Sequence, residues 1–355
     1  MKDVKSGQYN SVQVLRGVAA MLVVLHHAGT LVSERGLGNI SQFDWGAVGV
    51  DLFFAISGFV MVITTNRIWG QAGQWRVFIK KRLVRVVPLY WVATVVKIAM
   101  TLALPALALH SHLTIWHTVA SLLFIPATNP NTDTVFPILT QGWTLSFEML
   151  FYCIFAAAIW SGRKPVKIVS GTLIVLSLLA LAKTKNWMPL GALTDPLLVE
   201  FIFGMLIGLA TLNRKFLPNR VALILLFGAI VAFVLFGNYA QSYDGLPRFV
   251  FWGVPAAAVV YACLSMDWLF SGTHARSFRR LGDASYSIYL FHTFTLPVVG
   301  IAWNHFRWVG IVSAFAAVAI CMVFSIVAGL AIHRYIETPL TNLPAVRGVG
   351  RRGVA

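Results

Sequence analysis

Charged residues are scarce in this chain. Asp, Glu, Lys and Arg together make up 11% of its 355 residues, whereas soluble domains carry about 25%. Acidic residues are the scarcer sign, with 12 Asp and Glu against 28 Lys and Arg. Apolar residues reach 58% of the sequence. This balance excludes an ordinary soluble domain and predicts a protein that crosses a membrane several times.

Cysteine is rare as well. The three cysteines lie in separate apolar runs, without the spacing of a metal site or of a disulfide framework. We therefore expect Cys153, Cys263 and Cys321 to be small packing residues, and we expect no metal cofactor. The first apolar run is not followed by a small-residue cleavage site, so we interpret it as a retained membrane span.

Apolar stretches long enough to cross a bilayer need roughly 17–25 residues. The sequence contains ten of them, so the predicted fold is all-α: a polytopic transmembrane helical bundle of about ten spans. The predicted spans are 11–32, 46–66, 83–106, 143–161, 166–182, 195–212, 220–237, 248–266, 284–302 and 309–336.

The distribution of basic residues predicts the orientation of the bundle. With both termini in the cytoplasm, most of the 28 Lys and Arg residues lie on the cytoplasmic side, as the positive-inside rule requires. Counting the short apolar stretch 113–125 as a span would invert this bias, so we place 107–142 outside, with a short interfacial or re-entrant helix. The basic charge is then a topological signal, which excludes nucleic acid as a partner. Residues 1–340 are predicted to form a single transmembrane domain, followed by a short, basic, disordered tail at 341–355.

The first span, QVLRGVAAMLVVLHH (13–27), carries two ionisable residues on one helix face. Arg16 and His27 are eleven residues apart, which is about three turns and ~16 Å along the axis. His26 points about 80° away. Ionisable side chains inside an apolar span usually mark a site or a pathway. The alternative is that Arg16 extends to the membrane surface and His27 is a hydrogen-bonded residue between helices.

Three carboxylates lie inside later spans. Asp51 is predicted at the depth of His27, because each lies about five residues from the outer end of its span. A carboxylate there would fix the tautomer of a general base, although a buried structural pair is the alternative. Glu148 and Glu200 fall in the outer thirds of spans four and six, where each could serve His27 or pair with a buried partner.

Basic and polar residues also cluster toward the cytoplasmic side. Arg82 and Arg85, in FIKKRLVRVVPLYW (78–91), share a face at the inner end of span three. Two arginines there suit the phosphates of a cytoplasmic donor, but ordinary topology explains them too. His292 is predicted about a third of the way up span nine. Glu337 lies at the inner face near Arg334, where a structural pairing is favoured.

Taken together, these motifs resemble the membrane acyltransferase family 3, in particular its exopolysaccharide and O-antigen O-acetyltransferase branch with the succinoglycan-type acetylases. The resemblance implies a bundle of about ten helices, a cytoplasmic acyl-coenzyme A donor and a carbohydrate hydroxyl as acceptor. It assigns the family's essential histidine to His27, its arginine to Arg16, its arginine pair to Arg82 and Arg85, and its late glutamate to Glu337. The motifs are QVLRGVAAMLVVLHH, GAVGVDLFFAISGF, FIKKRLVRVVPLYW, GWTLSFEMLFY, EFIFGMLIG, LGDASYSIYLFH and HRYIETPL.

The sequence thus predicts an O-acyltransferase of the bacterial inner membrane. It would move acetyl from acetyl-CoA to a cell-surface or lipid-linked polysaccharide, with His27 as base or acyl carrier. The predicted roles are orientation of His27 by Asp51 or Glu148, coenzyme binding by Arg16, Arg82 and Arg85, and acceptor binding by Glu200, His292 and Glu337. A transporter or flippase of a lipid-linked sugar is the alternative, as is a non-catalytic polysaccharide-export subunit. The oligomeric state stays open.

Overall fold

A computed structural model describes residues 9–36, 45–103, 113–182, 189–237, 245–305 and 311–342. The regular elements among the described residues are all helices, with no strand. The α-helices are α1 (Asn10–Glu34), α2 (Val48–Thr65), α3 (Trp75–Ala103), α4 (Ile115–Leu122), α5 (Gly142–Trp160), α6 (Pro165–Leu179), α7 (Leu198–Leu212), α8 (Asn219–Phe236), α9 (Gly245–Arg248), α10 (Val254–Ser265), α11 (Arg276–Asp283), α12 (Ser285–His305), α13 (Ile311–Ile332) and α14 (Thr338–Thr341). Two π-helical turns, Phe249–Gly253 and His333–Glu337, precede α10 and α14.

Ten of these helical segments are long and apolar enough to cross a membrane, which confirms the predicted all-α, ten-span fold. The stretch 113–125 forms only the eight-residue helix α4, which is too short to cross a bilayer. One boundary differs clearly: α3 begins at Trp75, eight residues before the predicted start of span three. The predicted tail lies almost entirely outside the described residues.

The helices form two compact units. The first unit comprises residues 1–64 and 200–335, and the second comprises residues 65–199 and 336–355. The single-domain boundary at residue 340 stays a prediction.

In the first unit, α1 runs parallel to α11 and α12. The two stretches approach closely because glycines face each other: a Cβ on Gly282 would lie 1.8 Å from the carbonyl oxygen of Gln13, and one on Gly17 would lie 2.9 Å from the nitrogen of Gly282. Small residues at helix contacts allow such approach inside membranes. Beyond this contact, small and branched residues of α1 pack against α12 and α13 in one buried core.

Glycines also set the position of α2. Gly46 lies against Leu22 and His26 of α1, and Gly49 lies against Ala19. The two helices are therefore antiparallel, and the start of α2 is level with the middle of α1. On its other side, α2 meets α7 where a Cβ on Gly204 would lie 1.9 Å from the carbonyl oxygen of Ala55.

In the second unit, α3 and α5 pair in antiparallel fashion. Phe78 stacks on Phe155 with ring centroids 5.3 Å apart, and Gly142 lies against the ring of Tyr90. The short helix α4 is held on α3 by two hydrogen bonds. The Tyr90 hydroxyl donates to the carbonyl of Ser121 at 3.0 Å, and the Trp91 indole donates to the carbonyl of Leu122 at 2.9 Å.

Candidate functional site

His27 has a defined tautomer. Its Nδ1 lies 2.9 Å from the carbonyl oxygen of Val23, one turn earlier in α1. A carbonyl oxygen can only accept, so Nδ1 carries the proton and Nε2 keeps its lone pair. The group that orients the imidazole is thus a backbone carbonyl of its own helix. A neutral, oriented imidazole of this kind can take a proton or attack a carbonyl carbon.

Two other imidazoles surround His27. Its ring centroid is 5.0 Å from that of His26 and 4.9 Å from that of His292. His292 is buried. The contact follows from the packing of α1 on α12, because His27 lies ten residues beyond Gly17 and His292 lies ten residues beyond Gly282. His292 therefore reaches the depth of His27, and it lies about a third of the way along α12 (Ser285–His305), the position that the sequence predicts.

The prediction that Asp51 lies at the depth of His27 is wrong. Both carboxylate oxygens of Asp51 accept from Arg248, Oδ2 from Nη2 at 2.8 Å and Oδ1 from Nε at 3.2 Å. The reason is the pairing of α1 with α2. Since Gly49 lies against Ala19, Asp51 is level with the lower half of α1, some ~9–15 Å below His27. A catalytic role for Asp51 stays a prediction.

Arg248 is a residue that sequence reasoning missed, because it is the first residue of predicted span eight (248–266), where an arginine normally reaches water. It is only 2% exposed. Its guanidinium lies 5.1 Å from the ring centroid of Trp252 and donates weakly to the carbonyl of Ala47 at 3.4 Å. The only feature of the sequence that could have indicated its burial is its position at the predicted end of span eight.

Glu200, in the first turn of α7, lies against the irregular segment that follows Arg248. It is fully buried, and a Cβ on Gly253 would come within 2.6 Å of its Oε1. Gly253 ends the π-helical turn and lies five residues after Arg248, so the two share a face of that turn. The structure therefore places Glu200 near the Asp51–Arg248 pair. Its predicted role in acceptor binding is not tested by this placement.

Arg16 is held at the opposite end of α1. Its Nη1 donates to Oε1 of Gln13 at 3.2 Å, and Nε2 of Gln13 donates to Oδ1 of Asp283 at 2.6 Å. Asp283 thereby fixes which way the Gln13 amide points. Sequence reasoning missed Gln13 because its side chain is not ionisable, and Asp283 because it lies just before predicted span nine (284–302).

The second unit gathers Arg82, Glu148 and Tyr152. The Tyr152 hydroxyl donates to the Glu148 carboxylate, and Arg82 lies within electrostatic reach of both. Its guanidinium also lies 5.8 Å from the ring centroid of Phe78. The carboxylate of Glu148 therefore lies beside Arg82 and Tyr152.

Arg82 lies against the middle of α5. Because Phe78 stacks on Phe155 and Tyr90 meets Gly142, Arg82 is level with the middle of α5. A helix of 19 residues is ~28 Å long, so Arg82 is about 14 Å from either end of α5. Since α3 begins at Trp75, Arg82 is seven residues into the helix, and the position of the arginine pair at the inner end of span three stays a prediction. Arg85, one turn further along, is exposed.

Glu337 ends the second π-helical turn and is 6% exposed. The following helix α14 packs on α3. The role assigned to Glu337 stays a prediction. Among the described residues, no group of three or more His, Cys, Asp or Glu side chains is arranged to hold a metal ion.

Comparison with known proteins identifies the family of the chain. A family of acyltransferase domains matches residues 9–330. The exopolysaccharide production protein ExoZ of Rhizobium meliloti (strain 1021) is 35% identical over 88% of this chain and 94% of its own length. The acyltransferase MdmB of Streptomyces mycarofaciens is 26% identical over 86% of this chain and 82% of its own length.

A third relative is the peptidoglycan O-acetyltransferase OatA of Listeria monocytogenes, 26% identical over 93% of this chain. The chain spans 55% of the length of OatA. No solved structure matches the chain. The extent of the family match and the identity to ExoZ lead to one conclusion: the chain belongs to acyltransferase family 3 and is a multi-span membrane acyltransferase.

Proposed function

We propose that this protein transfers acetyl from cytoplasmic acetyl-CoA to a hydroxyl group of an exopolysaccharide, in the plasma membrane of a bacterium. The observation that carries the proposal is the state of His27. Its Nδ1–H is engaged by the Val23 carbonyl, so the lone pair of Nε2 is available inside the bundle. The 35% identity to ExoZ over most of both chains supports an exopolysaccharide acceptor.

Transfer needs a base for the acceptor hydroxyl. Nε2 of His27 takes the proton of the sugar hydroxyl, and the oxygen attacks the thioester carbonyl of acetyl-CoA. The carbon–sulfur bond breaks, and the coenzyme thiolate leaves and takes up a proton. In the second route, Nε2 itself receives the acetyl group and passes it to the sugar. Both routes end with an O-acetyl sugar and free coenzyme A.

The donor needs cations for its phosphates. Arg85 is exposed and Arg82 lies one turn away beside Glu148, so we assign the phosphate contact mainly to Arg85. Arg82 then supports the site through its carboxylate neighbour. Arg16 supplies a further guanidinium, oriented by Gln13. Arginine suits this role because its planar fork matches phosphate oxygens.

The donor claim is tested by binding of acetyl-CoA to the purified protein in lipid nanodiscs. Arg85→Gln should weaken binding about tenfold or more, because a charge-assisted contact contributes about 1.5–3 kcal/mol. Lys80→Gln is the matched control, since Lys80 is an exposed cation of the same helix. Equal affinities of both variants for acetyl-CoA would show that Arg85 does not contact the donor. No acetyl-CoA binding by the parent chain would favour a transporter instead.

The acceptor claim is tested by mass spectrometry of the surface polysaccharide from cells with and without the protein. We expect loss of 42 Da per lost acetyl group, roughly the mass of C₂H₂O, at one sugar position. An unchanged polysaccharide would refute the acceptor assignment.

A further inference from the structure

The imidazole of His27 has few polar contacts for a general base. Among the described residues, it hydrogen-bonds to the carbonyl of Val23 alone, and the rings beside it are those of His26 and His292. No carboxylate of the described residues forms a hydrogen bond or an ion pair with it, since both oxygens of Asp51 are engaged elsewhere. The carboxylate that orients the histidine in many hydrolases therefore has no counterpart in this part of the chain.

The single hydrogen bond to Val23 holds the imidazole weakly. A hydrogen bond contributes about 1 kcal/mol net, which favours one arrangement over another by only about fivefold. The torsion between Cβ and the ring is broad and roughly two-fold, so the ring can turn over. Nδ1 then leaves the Val23 carbonyl, and Nε2 faces another direction. A second contact is needed to keep the ring in one orientation.

The ring of His292 provides such a contact. Its centroid lies 4.9 Å from that of His27, and the two ring planes are inclined by 52°. His292 is only 1% exposed, so its own ring is enclosed by the protein. A side chain that is covered in this way is better suited to hold a neighbouring side chain than to bind the acceptor itself.

The register between α1 and α12 fixes the height of His292. Toward the C-terminal ends of the two helices, Arg35 lies against Gly300, where a Cβ would come within 2.8 Å of its Nε. Arg35 lies eight residues beyond His27, and Gly300 lies eight residues beyond His292. The register that pairs the two histidines therefore continues for about 12 Å along both helices.

Behind His292, α12 is tied to α13 by hydroxyl groups. The Thr295 hydroxyl donates to the carbonyl of His292 at 3.0 Å and shares a second hydrogen bond with the Ser325 hydroxyl of α13 at 2.7 Å. All three residues are buried. Hydroxyl groups often link helices in this way inside membranes. The backbone that carries the ring of His292 is thus linked to α13 as well as packed on α1.

We propose that His292 is a positioning residue for His27. Its ring prevents the imidazole of His27 from turning over, so that Nδ1–H stays on the Val23 carbonyl and Nε2 faces the reactants. The inference rests on the proposed function of His27. His292 touches neither acetyl-CoA nor the acceptor and affects transfer only through His27.

Transfer kinetics in nanodiscs test the effect on catalysis. His292→Ala should lower kcat about tenfold or more, because a misplaced base loses much of its effect, and should leave both KM values within about twofold of the parent. His292→Phe returns a planar ring and should recover most of the lost kcat. Leu290→Ala is the matched control, since Leu290 is also fully buried in α12 but points about 160° away from His292. If His292→Ala does not fold, His292→Val leaves a smaller cavity and takes its place. A kcat for the His292 variant that equals that of Leu290→Ala would overturn the proposal.

The tautomer of His27 separates positioning from the proposed function, because it is measured without either substrate. The measurement is ¹⁵N solid-state NMR of the histidine-labelled protein in lipid bilayers, with the His27 signals identified by their loss in His27→Gln. The parent, His292→Phe and Leu290→Ala should show the Nδ1–H tautomer alone, and His292→Ala should show both tautomers. This result supports positioning even if no acetyl transfer is found. The Nδ1–H tautomer alone in His292→Ala overturns positioning even if transfer is active.

Discussion

The ion pair between Asp51 and Arg248 is the interaction whose disruption we expect to harm the first unit most. The side chains are 0% and 2% exposed, and the guanidinium donates to both carboxylate oxygens. Removing one partner of such a pair leaves a lone charge in an interior of low dielectric constant, which costs about 3–5 kcal/mol. We therefore expect Asp51→Leu or Arg248→Met to lower the free energy of unfolding by about that amount.

Removing both partners tests whether the loss comes from the unpaired charge. The double variant removes both partners of the pair, so it should be more stable than either single variant and lie within about 2 kcal/mol of the parent. The measurement is equilibrium unfolding in mixed detergent micelles, followed by tryptophan fluorescence for all four chains. Single variants that lose less than about 1 kcal/mol, or losses that simply add in the double variant, would refute the reasoning.

Two further perturbations test helix contact and donor binding. A Cβ on Gly204 would clash with α2, whereas one on Gly228 meets nothing within 4 Å. Gly204→Ala should therefore lower the free energy of unfolding by more than about 2 kcal/mol, and Gly228→Ala should change it by less than about 1 kcal/mol. Equal values in the same unfolding assay would contradict the α2–α7 contact. Gln13→Leu removes the group that orients Arg16, so the Kd for acetyl-CoA should rise roughly three- to tenfold. Gln71→Leu, at an exposed glutamine, is the control. An unchanged Kd for Gln13→Leu would show that acetyl-CoA binding does not require Gln13 to orient Arg16.

The ten spans could be predicted from the sequence because hydropathy and charge are local properties of a segment. They do not depend on which other helices the segment packs against. The choice of Arg16 and His27 followed from the same logic. What hydropathy does not give is the relative height of two helices. Asp51 was placed beside His27 by counting from span ends, whereas the glycine contacts of α2 set it about two turns lower.

The same limitation explains the other differences. His292 meets His27 because Gly17 and Gly282 bring α1 and α12 into contact at one height, and no pattern within either span encodes that pairing. Arg248 was counted with the loops, because an arginine at a span end normally reaches water. Its burial depends on a carboxylate 197 positions away in the chain.

The central claim is that Nε2 of His27 carries the chemistry of acyl transfer. The most direct measurement is the rate of acetyl transfer from labelled acetyl-CoA to de-O-acetylated polysaccharide by the protein in nanodiscs, comparing His27→Ala with His26→Ala. His26 is the matched control because it is the adjacent imidazole of the same helix. We expect His27→Ala to lower the rate at least a hundredfold, the usual contribution of a general base, and His26→Ala to lower it less than tenfold. Near-parent transfer by a correctly folded His27→Ala protein would contradict the account.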